Sequence, residues 1–318
     1  MSNQIFFNKN LNFYLRISNV YIKQQQQHHT MEHNKVYLMD CIEGMKGIAD
    51  KTAQIIICDC PYNIGKDFNN NSDKQSMDEY LLWCDKWIEQ CLRVLKPNGT
   101  MYIYGFSEIL AFIRVKLTCN VRWLVWHYTN KNSPTLKFWQ RSHESILCCW
   151  KDDKVFNLDE VREPYTDTFL KNAAGKQRKA TAGRFSTGEK ETTYTAHAKG
   201  ALPRDVLKCP EVPTQTPLED IIKVPALAGG AGKKERVNHP TQKPVELCLR
   251  LLKAAKQNTD DVVVIPFAGS GSECVACKQL GLPFIAFEIN QEYVELCNER
   301  LADKEVVESE ASTSASIA

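Results

Sequence analysis

The sequence predicts an α/β fold in which helices cover both faces of a mainly parallel sheet. Short apolar runs alternate with amphipathic helical patterns along most of the chain, and such alternation is typical of parallel sheets. Most of the runs are apolar at every position, as strands buried on both faces are. One run also leads into a glycine-containing turn and a helix, the junction at which doubly wound sheets bind nucleotides.

Seven apolar runs are predicted strands. In chain order they cover residues 36–39, 55–58, 101–104, 124–126, 146–150, 262–265 and 284–287. Two helical patterns lie between them, at residues 77–95 and 244–256. We expect the first helix to end at residues 96–99, because the sequence Lys-Pro-Asn-Gly breaks a helix.

The domain organisation follows from where this alternation begins and ends. We expect one catalytic domain over residues 33–302, because 318 residues suit a large α/β domain with an inserted module. The inserted region is predicted at residues 165–235. Residues 1–32 form a predicted disordered extension that contains a run of glutamines and histidines, and residues 303–318 a predicted disordered tail.

Charge is unevenly distributed along the chain. A net charge of +2 does not by itself indicate a nucleic-acid partner. Between residues 171 and 208, however, nine basic residues stand against three acidic ones. The basic residues are Lys171, Lys176, Arg178, Lys179, Arg184, Lys190, Lys199, Arg204 and Lys208. This stretch is the predicted target-recognition region, and a solvated loop is the alternative.

The thirteen cysteines favour a reducing, cytoplasmic location over a secreted one. Many lie inside apolar runs, and the sequence shows no secretory signal with a cleavage site. Cys274 and Cys277 have a metal-like spacing, but no second Cys or His pair accompanies them, so we expect no metal site. No apolar run approaches the roughly 20 residues of a spanning helix, so we do not expect a membrane protein.

A candidate cofactor site follows the predicted strand at residues 262–265. The chain continues through Gly269 and Gly271 into a helical pattern, and glycines there let backbone amides approach a ligand closely. Glu288 ends the next strand about 20 residues later, where an acid can accept hydrogen bonds from ribose hydroxyls. Together these features favour an adenosine-containing ligand, although the glycine pair alone is also compatible with a structural turn. Dinucleotides and nucleoside triphosphates are less favoured, because the third glycine and the P-loop lysine are absent.

A second candidate site follows the predicted strand at residues 55–58. There the chain presents an acid, Asp59, then Cys60, a rigid proline, Pro61, and an aromatic residue, Tyr62. The acid and backbone carbonyls can accept hydrogen bonds from an amino group, while a tyrosine ring can stack on a flat base. A polar turn after a core strand is the alternative.

With these motifs in this order, the chain resembles the β-class amino methyltransferases of DNA. The family's catalytic Asp-Pro-Pro-Tyr matches Asp-Cys-Pro-Tyr at residues 59–62, and its Phe-x-Gly-x-Gly loop matches residues 267–271. Its His-Pro-Thr-Gln-Lys-Pro segment is present at residues 239–244, and residues 125–128 and 161–165 resemble the adenine-modifying restriction-modification branch. The resemblance covers roughly residues 33–302 and implies a Rossmann-like methyltransferase sheet with a circularly permuted motif order.

The resemblance also implies catalytic roles. Asp59 and the carbonyl of Cys60 would bind the target amino group, Pro61 would complete the catalytic turn, and Tyr62 would stack on a base flipped out of the duplex. Cys60 departs from the family's proline, which we expect to reduce rigidity more than chemistry, because a backbone carbonyl acts there.

The cofactor implied by the resemblance is S-adenosylmethionine. Thr241 and Lys243 would hold its methionine carboxylate, Asp40 and Cys41 would line its adenine pocket, and Glu288 would bind its ribose. The cofactor loop would comprise Phe267, Ala268, Gly269, Ser270 and Gly271. Alternatives are a helix cap for Asp40 and a solvated surface charge for Lys243. The family's acid at the start of the cofactor motif is replaced here by Ile265.

The function implied by the resemblance is methylation of adenine N6 in duplex DNA, since aspartate at the first catalytic position is more usual among adenine-modifying members. Cytosine-N4 methylation is the alternative target. An inactive DNA- or cofactor-binding homologue, suggested by Ile265 and Cys60, and an RNA or small-molecule methyltransferase are further alternatives. Candidate partners besides double-stranded DNA are a second copy of the chain and a cognate restriction endonuclease.

Overall fold

The computed structural model describes residues 31–66, 73–128, 136–179, 182–184, 187–207 and 235–303. Most of the predicted extension and tail, and residues 208–234 of the predicted insert, therefore lie outside the described residues. No described helix is long and apolar enough to cross a membrane.

The predicted doubly wound sheet is confirmed. Eight strands pair in the order β1-β10-β9-β2-β3-β5-β4-β8, and a separate antiparallel pair forms from β6 and β7. Pairing is parallel except where β5 lies between β3 and β4. The strands are β1 (Lys35–Leu38), β2 (Ala53–Cys58), β3 (Leu95–Gly105), β4 (Asn120–His127), β5 (His143–Trp150), β6 (Gln177–Lys179), β7 (Glu191–Thr193), β8 (Val206–Leu207), β9 (Val262–Ile265) and β10 (Phe284–Glu288).

Seven α-helices and one 3-10 turn (Leu158–Glu160) accompany the strands in the described part of the chain. The helices are α1 (Cys41–Lys46), α2 (Met77–Val94), α3 (Ser107–Lys116), α4 (Asp167–Asn172), α5 (Val245–Ala255), α6 (Ser272–Gln279) and α7 (Gln291–Ala302). Helix α2 begins at a capping box in which Ser76 and Glu79 satisfy each other's backbone amides. It ends at Val94, as the sequence predicts, but residues 96–99 belong to β3 and do not form a separate turn.

The central strand β2 separates two hydrophobic cores. All six of its side chains are fully buried. Ile55 and Ile57 pack with α5 and α6 on one face, while Ile56 and Cys58 pack with α1, α2 and α3 on the other. This two-sided burial explains why residues 55–58 are apolar at every position, since each fully buried isoleucine contributes roughly 1.5–3 kcal/mol to folding.

Three strands begin three or more residues before the apolar runs that predict them. β3 starts at Leu95, β4 at Asn120 and β5 at His143. The added residues of β5 include the polar Glu144 and Ser145, which pair in register with Trp126 and Val125 of β4. Partners across the sheet satisfy the backbone of these polar residues, so strand pairing continues where the apolar pattern has stopped.

Candidate active site

The candidate site is a pocket at the carboxyl ends of β1, β2, β9 and β10. Thirteen of the fourteen predicted site residues line it. They are Asp40, Cys41, Asp59, Cys60, Pro61, Tyr62, Thr241, Lys243, Phe267, Ala268, Gly269, Ser270 and Glu288. Gly271 does not line the pocket: it precedes α6 at a φ of 78°, and a Cβ there would lie 2.2 Å from the Sγ of Cys297. Its glycine is therefore required by backbone conformation and packing.

Asp59 is the centre of a buried polar cluster at the end of β2. Its carboxylate accepts a hydrogen bond from the Tyr62 hydroxyl at 3.0 Å and pairs with the Lys243 ammonium at 2.8 Å. Glu144 lies 3.3 Å from the same Tyr62 hydroxyl, so the two carboxylates share its single proton, and 3.8 Å from Lys243. The sequence analysis missed Glu144 because the predicted strand began two residues after it.

Lys243 is 3% exposed, so the alternative of a solvated surface charge is wrong. Burial acts to lower the pKa of its ammonium, but the carboxylates of Asp59 and Glu144 outweigh burial and the pKa is raised. Lys243 therefore stays charged and compensates the two buried acids. In this structure its ammonium contacts Asp59, and it also donates a hydrogen bond to the carbonyl oxygen of Thr241 at 3.3 Å.

Tyr62 is only 6% exposed, although its side chain lines the pocket. Its ring packs edge-on against Phe106 at a centroid distance of 5.2 Å. Burial and the negative charges of Asp59 and Glu144 raise the pKa of its hydroxyl, so the hydroxyl remains a hydrogen-bond donor. The aromatic ring is thus fixed beside the acid, with its hydroxyl directed at carboxylates.

The chain after Asp59 is held in place by two residues that the motif did not indicate. The buried carboxylate of Asp73 accepts hydrogen bonds from the amides of Asn63, Ile64 and Lys66 at 2.5–3.1 Å. The hydroxyl of Tyr80, on α2, donates to the carbonyl of Pro61 at 2.8 Å. Asp73 lies outside any periodic pattern, and the buried face of α2 predicts that Tyr80 is in the core but not where its hydroxyl donates.

The cofactor loop is tied to the end of β10. The amide of Gly269 donates to Glu288 Oε2 at 2.8 Å, and the amides of Ile289 and Asn290 donate to its Oε1, each at 2.9 Å. Burial raises the pKa of Glu288. Gly269 has a φ of 48°, and a Cβ there would lie 3.0 Å from Nε2 of His239, so both backbone conformation and packing favour glycine at this position of the pocket wall.

Asp40 both lines the pocket and caps α1, because its carboxylate accepts hydrogen bonds from the amides of Ile42 and Glu43 at 2.8 and 3.2 Å. Asp40 is therefore a helix cap, as the alternative proposed. Because it also lines the pocket, capping does not exclude a role in binding a ligand. Beside it, Met39 and Ile289 present partly exposed apolar side chains to the pocket. Flat apolar surface of this kind suits an adenine ring.

The segment before α5 also lines the pocket through His239, which the predicted site did not include. Burial, then the positive charges of Lys243 and Arg300, lower the pKa of His239 to about 4, so its imidazole is neutral at pH 7. Its ring packs edge-on against Tyr293 at 4.6 Å, and its Nδ1 accepts a hydrogen bond from the amide of Thr241 at 3.4 Å.

The ionisable lining of the pocket is mainly acidic. Five carboxylates stand against two ammonium groups, and His239 is neutral. The carboxylates belong to Asp40, Asp59, Asp73, Glu273 and Glu288, and the ammonium groups to Lys66 and Lys243. Among the described residues, no cluster of His, Cys, Asp or Glu could hold a metal ion.

S-adenosylmethionine fits this lining. Its sulfonium and ammonium give it a net positive charge, which the surplus of carboxylates complements. The carboxylate of Glu288 can accept ribose hydroxyls, Gly269 adds no side chain to the pocket wall, and the apolar side chains at the rim suit adenine.

In this doubly wound sheet, one strand ends at an acid, and a glycine loop lies beside a second acid that is placed to bind a ribose. This arrangement is typical of enzymes that use a nucleoside cofactor. Sequence comparison identifies the family. Residues 53–299 match the model of the N6/N4 methyltransferase family, which is described as DNA methylase. The chain belongs to this family, whose members transfer methyl groups from S-adenosylmethionine to amino groups of DNA bases.

Individual relatives include methyltransferases of restriction-modification systems. The chain is 30% identical to the type II methyltransferase M.HpaI of Haemophilus parainfluenzae over 269 residues, which is 82% of this chain and 72% of the relative. It is 32% identical to the DNA adenine methyltransferase YhdJ of Escherichia coli over 268 residues, which is 82% of this chain and 80% of the relative.

Solved structures share the fold. The cytosine-N4-specific PvuII DNA methyltransferase superposes with a TM-score of 0.57 at 14% identity, covering 86% of this chain and 88% of that one. TTHA0409 of Thermus thermophilus, solved in complex with S-adenosyl-L-methionine, superposes with a TM-score of 0.50 at 18% identity, covering 84% and 93%. At these identities the likeness concerns the fold alone.

Proposed function

We propose that the protein methylates the N6 amino group of adenine at a specific sequence in duplex DNA. The observation that carries this proposal is the Asp59 carboxylate at the end of β2, which pairs with the buried Lys243 and lines the pocket. The 32% identity to a relative named as a DNA adenine methyltransferase supports adenine as the target.

Asp59 has the acceptor capacity that the reaction requires. A carboxylate offers about four lone-pair sites, of which Lys243, at 2.8 Å from both oxygens, and the Tyr62 hydroxyl occupy up to three. A further site can accept a hydrogen bond from the target amino group. That bond makes the nitrogen lone pair more available and stabilises the positive charge that develops on nitrogen during transfer.

S-adenosylmethionine supplies the electrophilic methyl group when it is bound. The protein then has to orient the amino nitrogen, because the sulfonium needs no acid to assist its departure. We assign the ribose contact to Glu288, the adenine surface to the region of Asp40 and Cys41, and the methionine carboxylate to Thr241 and Lys243. Lys243 would then link cofactor and catalytic acid through one ammonium group.

A base can reach Asp59 only after leaving the duplex, because the acid lies within a pocket and the base pair would otherwise occlude its amino group. The Tyr62 ring is the proposed stacking surface beside the acid. Extruding a base costs a few kcal/mol, and stacking on an aromatic ring offsets part of that cost.

We propose that the region from residue 165 contacts the DNA. The basic side chains described between residues 171 and 204 are all exposed, as phosphate contacts require. Glu163 connects this region to the catalytic domain, since it pairs with Arg204 and with the buried Arg250, each at 2.9 Å. The region is thereby anchored relative to the pocket.

The test is product identification. Purified protein is incubated with unmethylated duplex DNA and radiolabelled S-adenosylmethionine, and the DNA is digested to nucleosides. The proposal predicts label in N6-methyladenine. Label in N4-methylcytosine would retain amino methylation and overturn the adenine assignment, while label accepted by RNA in preference to duplex DNA would overturn the proposed substrate.

A further inference from the structure

Glu273 is a buried acid in the pocket to which the proposed reaction gives no task. It is the second residue of α6, immediately after the cofactor loop, and it is 3% exposed. The first six residues of α6 are all buried, so the helix encloses this carboxylate and does not present it to bulk water. Its side chain nevertheless lines the pocket.

Among the described residues, no cation forms an ion pair with the Glu273 carboxylate, and Lys243 acts on it only from a longer distance. Its one side-chain hydrogen bond comes from the Cys248 thiol, a weak donor, at 3.5 Å. Burial, and then the negative charge of Asp59, raise the pKa of Glu273 to about 7. An acid kept this deeply buried without a cation is costly to ionise, which is a reason to look for a cation that the protein does not supply.

The other pocket acids do not share this condition. Asp59 pairs with Lys243, Asp40 caps a helix, and Asp73 and Glu288 each accept three backbone amides. Only Glu273, among the described acids of the pocket, lacks both an ion pair and a set of amide donors. Glu273 is therefore the pocket acid whose ionised form receives the least stabilisation from the protein.

We propose that the Glu273 carboxylate binds the α-ammonium group of the methionine moiety of S-adenosylmethionine. This rests on cofactor binding in the pocket described above. Lys243, assigned to the methionine carboxylate, lines the same pocket and interacts electrostatically with Glu273 without forming an ion pair, so the pocket offers both a cation and an anion to the ligand. An amino acid carries its carboxylate and ammonium on one carbon and requires such a pair.

The end of β9 supplies no competing acid. Ile265, at the position where the family has an aspartate, is fully buried and apolar. The loop then brings Glu273 to the pocket eight residues later, on the helix that the same strand leads into. Glu273 thus provides the charge that this strand end lacks.

The test compares three adenosine ligands by calorimetry, without DNA, in the unmodified protein and in Glu273→Gln. S-adenosylmethionine and S-adenosylhomocysteine carry the ammonium, and methylthioadenosine does not. The variant should bind the first two roughly 10- to 100-fold more weakly and methylthioadenosine unchanged. Glu299→Gln, an exposed acid on α7, is the matched control and should bind all three normally.

Two patterns overturn the proposal. Loss of affinity for S-adenosylmethionine alone would assign Glu273 to the sulfonium, and equal effects on all three ligands, including none, would assign it a structural role. If Glu273→Gln does not fold, the same contact can be tested in the unmodified protein by removing the amino group from the ligand. S-adenosylhomocysteine should then bind at least about tenfold more tightly than its analogue lacking the amino group, and equal affinities would contradict the proposal. Because no DNA is present, these results are independent of whether adenine is the target.

Discussion

The pocket and the basic region differ in how their side chains are held. Around Asp59, the side chains of Tyr62, Glu144 and Lys243 are buried and are held by hydrogen bonds and ion pairs. Between residues 165 and 207, the structure consists of one short helix, three short strands and mainly exposed side chains. Methyl transfer requires fixed geometry, whereas recognition of DNA requires accessible charge, and the two regions meet these different demands.

Because ion pairs hold the polar groups of the pocket, Lys243→Met should have a large effect on the rate of methyl transfer. The variant leaves Asp59 and Glu144 buried together without their cation, and breaking such a pair costs roughly 3–5 kcal/mol. We expect the single-turnover rate of methyl transfer to fall at least about 100-fold, since about 2.7 kcal/mol in barrier height suffices for that. Lys86→Met, an exposed lysine on α2, is the control. A rate within threefold of the control would contradict the proposed role of the pair.

Substitutions in the buried core of the sheet and in the exposed basic region should differ in their effect on the free energy of unfolding. Ile56→Ala removes a fully buried side chain from β2, so the free energy of unfolding should fall by roughly 2–5 kcal/mol. Leu202→Ala removes a side chain that is 64% exposed in the basic region, so the change should be within about 0.5 kcal/mol. Chemical denaturation of both variants checks this, and similar losses would mean that the two regions share one core.

The anchor between the regions predicts an intermediate effect. Glu163→Gln weakens the ion pairs to Arg204 and Arg250, so the basic region should be held less firmly against the pocket. We expect DNA to bind about 5- to 10-fold more weakly while S-adenosylmethionine affinity is unchanged, because a change of about 1–1.4 kcal/mol gives that factor. Glu160→Gln, on the neighbouring turn, is the control. Loss of cofactor affinity would show instead that Glu163 supports the pocket itself.

The smallest effect should come from single phosphate contacts. Arg178 and Lys179 are exposed on β6, and their joint replacement by alanine should reduce the slope of log affinity against log salt by up to about 2. Fluorescence anisotropy across a salt series measures this slope, with Lys86→Ala as the control. An unchanged slope would place the DNA away from β6.

How far the sequence predicted this molecule depends on the kind of signal each residue gives. Apolar runs located β2, β9 and β10 closely, because strands buried on both faces have a distinctive composition. They missed the polar beginning of β5 and with it Glu144, since cross-strand pairing extends a strand without a local pattern. Motif resemblance brought together thirteen residues that line one pocket.

Several of the residues that the sequence did not reveal are buried acids outside the matched motifs. Asp73 and Glu273 resemble surface acids in the sequence, because burial of a charge depends on distant partners and not on neighbouring positions. The same limit applied to Lys243, for which a solvated position was the alternative. Its contact with Asp59 joins residues separated by 184 positions in the chain.

We propose that Asp59 activates the target amino group, and the variant Asp59→Asn is the most direct test of this role. Asp59→Asn preserves the shape of the side chain but removes its charge, and Asp260→Asn, an exposed acid before β9, is the matched control. Methyl transfer to duplex DNA and S-adenosylmethionine affinity are measured on both proteins. The rate of methyl transfer by Asp59→Asn should fall at least about 1,000-fold, while its affinity for the cofactor should change less than about threefold. Transfer at the rate of the control would contradict this role.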